Sequence, residues 1–130
     1  MATDRERLHR IAETFFAAWN RQDVDEVLRL YTDDVVYRDP TTRGPVRGAE
    51  ALRRYLTKLF AAWNMSWRLE ELLPFEGRDG AAVRWSATIA PRGVEPGVPV
   101  AGLDLVFLDG DRVARNEVFF DRSLLAPLLS

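Results

Sequence analysis

Hydrophobic positions change their period partway along the chain. From about Arg5 to Gln22, Leu8, Ile11, Ala12, Phe15, Phe16 and Trp19 recur every three or four residues, which predicts an amphipathic helix with an aromatic-rich buried stripe. Asp23 precedes Glu26 by three positions, a capping-box-like start for a short second helix that turns Val27, Leu28 and Tyr31 inward and ends at Asp33-Asp34. Val35 to Asp39 alternates as a strand and runs into Pro40 and the loop Thr41-Thr42-Arg43-Gly44-Pro45. Gly48-Ala49-Glu50 then opens a third helix with Leu52, Tyr55, Leu56, Leu59, Phe60 and Trp63 on one side.

After Asn64 the period becomes two. Met65, Trp67, Leu69, Glu71 and Leu73 alternate with Ser66, Arg68, Glu70 and Leu72, a long strand. Gly77 to Gly80 turn the chain into a strand over 81–90, with Val83, Trp85, Ala87 and Ile89 on one face. A Pro/Gly loop over 91–99 leads to strands over 100–108 and 112–120, joined by the hairpin signal Asp109-Gly110-Asp111. A short helix over 123–129 closes the chain, with Asp121 as its N-cap. Helices first and an antiparallel meander after them predict an α+β fold, a curved sheet wrapped on three N-terminal helices with an apolar cavity between.

Composition narrows the chemistry. The 130 residues suit one domain, 1–130, and 20 acidic against 18 basic residues, without a Lys/Arg cluster, leave no footprint for nucleic acid. Zero cysteines exclude disulfides and thiolate chemistry. The single histidine, His9, sits in a charged segment that reads as surface, which removes sites built from several imidazoles and disfavours a Ser-His-Asp triad. No run approaches the length of a membrane span and no apolar segment follows the charged N-terminus, so a cytoplasmic protein with no membrane partner is expected.

Two carboxyls stand out. Asp39 shares a strand face with Val35 and Tyr37, so it either ends an apolar wall as a base or bonds a nearby loop amide. Asp104 lies within the apolar run Gly102 to Leu108, where a lone charge is costly unless it is protonated or paired. Tyr37 is a candidate donor or a packed ring. Asn116, Val118 and Phe120 share one face of the last strand, and Asn116 could offer a neutral hydrogen bond. Phe15, Trp19 and Trp85 have the phase of either core or pocket wall.

The segments Phe16 to Asp23, Tyr31 to Val35, Asp39-Pro40, the Gly48 helix start, Val100 to Asp104 and Phe119-Phe120-Asp121 resemble the nuclear transport factor 2-like superfamily, most closely ketosteroid isomerases and SnoaL-like polyketide cyclases. The resemblance spans nearly the whole chain. It implies a cone-shaped fold, a homodimer, an apolar carbonyl substrate and chemistry without a cofactor or metal. On this likeness Asp39 matches the proton-shuttling base and Asp104 the acid that hydrogen-bonds the developing oxyanion. Phe15 stands where the isomerases carry an oxyanion-binding tyrosine, and Tyr37 is a replacement from another direction. The Arg and Asp of limonene-epoxide-hydrolase-like enzymes fall on Ser86 and Thr88, which disfavours that reaction. Outer sheet positions such as Val106 or Phe119 are candidates for the dimer contact.

Overall fold

The structure is a computed structural model, described here over residues 4–128. Helix α1 (Asp4–Arg21) buries the expected stripe, with Leu8, Ala12, Phe15, Phe16, Ala18 and Trp19 all inside. Helix α2 (Val24–Leu28) is a single turn and a half, started by Asp23, whose side chain accepts the Glu26 N–H at 3.1 Å.

The first correction comes directly after α2. Tyr31 does not ride on that helix but opens strand β1 (Tyr31–Arg38), and Asp33-Asp34 lie within the strand. The Leu30 carbonyl accepts the Val113 N–H at 2.7 Å, which draws the chain into parallel pairing with a strand more than eighty residues away. A register shift between Tyr31 and Val36 lets Asp33 and Asp34 bulge toward solvent, so two acids fit inside a strand. A two-residue strand β2 (Val46–Arg47), absent from the sequence reading, pairs antiparallel with β1.

Gly48, at φ 87°, turns that edge into helix α3 (Ala49–Ala62), which buries Leu52, Leu56 and Phe60. Trp63 opens strand β3 (Trp63–Pro74) rather than closing the helix. Strands β4 (Gly80–Pro91), β5 (Val98–Asp109) and β6 (Arg112–Phe120) follow, each a little longer than or equal to its predicted span. The last segment, Arg122–Leu128, is a 3-10 helix, and Leu129 lies outside the described residues.

The six strands form one curved, unclosed sheet in the order β2-β1-β6-β5-β4-β3, antiparallel except where β1 meets β6. The fold is therefore α+β, as the pattern predicts. Edge strand β3 is covered from α1: Asn20 accepts the Trp67 N–H at 2.7 Å and donates to the Trp67 carbonyl at 3.0 Å, and Gln22 does the same for Met65 N and Trp63 O. Arg7 pins the other end of α1 to both hairpin turns through Asp79, Asp111 and the Gly110 carbonyl. Val106 packs inward against the core, contrary to its expected outer position, whereas Phe119 faces outward and is 48% exposed. Among the described residues no helix is long and apolar enough to cross a membrane.

Candidate active site

A cavity of about 310 Å³ lies between the concave face of the sheet, α1, α3 and the final 3-10 helix. Phe15, Phe16 and Trp19 from α1 form one wall, Met65, Trp67, Ile89, Val118 and Phe120 the sheet wall, and Tyr55 and Leu59 a third. Aromatic contacts fix these walls: Trp19 stacks on Tyr37 with centroids 6.3 Å apart and meets Trp67 edge-on at 6.0 Å. Trp19 and Trp67 bury their indole N–H groups in these walls. Into this apolar space project Asp39 and Asp104.

Asp39 directly follows β1, and the phase it shares with buried Val35 and Tyr37 carries it to the cavity. Its Oδ1 accepts the backbone N–H and the hydroxyl of Thr41, both at 2.7 Å. Its Oδ2 accepts the hydroxyls of Tyr37, at 2.7 Å, and of Tyr55. Each oxygen thus takes two donors, the full capacity of a carboxylate. Asp39 thus makes the Asx-type bond to a loop amide and also lines the cavity. Burial, and then the neighbouring Asp39 charge, push the Tyr37 and Tyr55 hydroxyls above their ordinary value, so both remain donors.

Asp104 lies on β5, separated from β1 by β6, and is 5% exposed. Trp85 Nε1 donates to its Oδ1 at 2.8 Å, and Asn116 Nδ2 donates to its Oδ2 at 3.2 Å. Asn116 is oriented in turn, because its Oδ1 accepts the Tyr31 hydroxyl at 2.9 Å while its Nδ2 also meets the Leu105 carbonyl. Burial pushes the Asp104 carboxyl up to about 7; the Trp85 and Asn116 bonds oppose the rise and the charge of Asp39 adds to it. A void of about 20 Å³ lies on the core side of Asp104, walled by apolar residues such as Leu8, Ala12 and Val83.

Of the residues singled out in the sequence, Phe15, Trp19, Tyr37, Asp39, Asp104, Val118 and Phe120 all line the cavity. Trp85 and Asn116 do not. They have the inward phase, but both are 0% exposed and sit behind Asp104 as its hydrogen-bond donors. Tyr37 commits its only proton to Asp39, so it is not a free donor to a ligand oxygen. His9 is exposed beside Glu13, and Asp121 accepts the Ser123 N–H at 3.0 Å at the start of the last helix, as expected of a cap. The sequence reading missed Tyr55, Thr41 and Tyr31 as polar parts of the site. Tyr55 carried a signal, a hydroxyl on the buried stripe of α3, where a phenol needs a partner. Among the described residues no group of three acidic or histidine side chains comes together as a metal site.

No curated protein matches the chain. Solved structures do: an uncharacterised cystatin-fold protein from Novosphingobium aromaticivorans, at 27% identity and TM-score 0.68, covers 87% of this chain and 97% of its own. A ketosteroid isomerase-like protein from Erwinia carotovora atroseptica is 22% identical at TM-score 0.68, over 87% of this chain and 92% of that one. A candidate isomerase from Bacillus subtilis superposes at TM-score 0.87 over 98% and 96% of the two chains, at 10% identity. These likenesses define the fold, and a family model covers most of the sequence. With residues 12–116 matching the SnoaL-like domain, the chain belongs to the SnoaL-like family of the nuclear transport factor 2-like superfamily.

Proposed function

We propose that the protein is a cofactor-independent acid–base enzyme that moves a proton on an apolar cyclic carbonyl compound. The observation that carries this reading is the pair of carboxyls in one apolar cavity with opposed surroundings: Asp39 held by four donors, Asp104 buried and pushed up to about 7. Asp39 takes a proton from the carbon beside the carbonyl, and the bonding electrons pass to the carbonyl oxygen. Protonated Asp104 donates a hydrogen bond to the resulting enolate. In an isomerisation Asp39 returns the proton to another carbon. In the ring closure of a polyketide cyclase, the enolate carbon attacks a second carbonyl instead, and the proton ends on the new alkoxide.

Asp39 can accept a proton only if one donor lets go. Tyr55 has the alternative: its hydroxyl also lies 3.1 Å from Thr41 Oγ1, to which it can donate while Oδ2 is protonated. Tyr37 then remains to orient the group. The same saturation of Asp39 favours one rival, a non-catalytic ligand-binding module in which Asp39 only closes the loop. Asp39→Asn separates the two in a screen of cyclic ketones and enones. The enzyme reading expects ligand binding to persist while turnover falls by about 10²–10⁴-fold, with an alkaline limb near pH 7 in the wild type. Unchanged turnover removes Asp39 as the base. The reading also expects a homodimer, with outward-facing Phe119 in its contact.

A further inference from the structure

Among the described residues the cavity's lining contains a single basic side chain, Arg122, at the first position of the final 3-10 helix. The adjacent Asp121 takes the N–H and the hydroxyl of Ser123 on its Oδ1, at 3.0 and 2.6 Å. Asp39, also in the lining, is already filled by Tyr37, Tyr55 and Thr41. Among the described residues Arg122 makes one hydrogen bond, from Nη1 to the Pro40 carbonyl at 3.5 Å, the outer limit of such a bond, and no ion pair. That contact places the exposed guanidinium beside Pro40, the residue after Asp39.

We infer that Arg122 is the specificity residue of the cavity and that its ligands are oxo acids, with an apolar body inside and a carboxylate on the guanidinium at the rim. The inference rests on the acid–base reading of the same cavity and narrows its substrate class. A guanidinium presents two parallel N–H donors to a carboxylate, and no other cation stands among the described lining residues to hold one. One cation beside one carboxylate suits a monoanion, whereas a phosphate dianion would need further basic groups that the lining lacks.

The test is calorimetric titration of the intact protein at pH 7 with naphthoylpropionate and with its methyl ester, in the wild type, Arg122→Gln and Arg122→Lys. The acid is expected to bind on the order of 10-fold more tightly than the ester in the wild type. Arg122→Gln removes that preference without weakening the ester, and Arg122→Lys restores part of it. Equal affinity for acid and ester in the wild type, or equal loss of both in Arg122→Gln, overturns the inference while leaving the cavity reading intact. Failure of both compounds to bind the wild type overturns the apolar-cavity reading and the inference with it.

Discussion

Asp104 owes its proton affinity to position rather than to a partner. Trp85 and Asn116 both donate to it, which favours the ionised form, yet burial outweighs them and the carboxyl is pushed up to about 7. Asn116→Leu removes one of those donors and also strands the Tyr31 hydroxyl. The expected outcome is a higher Asp104 midpoint and a stability loss of about 1–3 kcal/mol, read by titration and by denaturant unfolding. At this scale the sequence was legible in part. A lone charge in an apolar run marked Asp104, and strand phase marked the inward face for Trp85 and Asn116. Alternation says which side of a sheet a residue faces, not how deep it lies, so Asn116, offered as a cavity donor, and Trp85, left open between core and wall, are both found beneath the wall.

The elements hold this site through a close fit between β4 and β5. Gly102 faces Trp85 across the strand pair, and a Cβ at Gly102 would stand 2.4 Å from Trp85 Cζ2 and 2.6 Å from the Phe119 carbonyl oxygen. Gly102→Ala therefore displaces the indole that donates to Asp104. The variant should lose about 1–3 kcal/mol of stability, and the Trp85 Nε1–H resonance should shift in a proton–nitrogen spectrum. The helix stripes, the meander and the Asp109-Gly110-Asp111 hairpin could all be read from local pattern. The start of β1 and the whole of β2 could not. Both depend on pairing across the fold, where the Val113 N–H pulls Leu30 and Tyr31 into the sheet, and a bulge admits the acids that otherwise look like a terminator. Tyr55 and Thr41 were missed for the same reason, since only the folded rim brings the loop, α3 and β1 together around Asp39.

At the scale of the whole molecule, a raised carboxyl makes stability depend on pH in a particular direction. Between about pH 4 and 7 the folded state holds a proton on Asp104 that the unfolded chain has lost, so stability falls as pH rises through that window and is level above it. The gap between about 7 and the ordinary 3.8 is worth on the order of 4 kcal/mol. Surface carboxylates act in the opposite sense: Asp25 beside Arg53 and Glu26 beside Arg21 lie low, and their stabilisation is lost only as the medium becomes more acid still. Asp104→Asn should therefore flatten the fall between about pH 4 and 7 in a series of unfolding measurements, and leave the acid limb in place.

All of this turns on the protonation state of one side chain inside the cavity. The most direct measurement is a carbon-detected NMR titration of the Asp104 carboxyl in the folded protein. A midpoint near 7 is expected, with Asp104 largely protonated in mildly acid solution and able to donate to an enolate oxygen. A midpoint near about 4, that of an exposed aspartate, would contradict it and leave the cavity without its neutral donor.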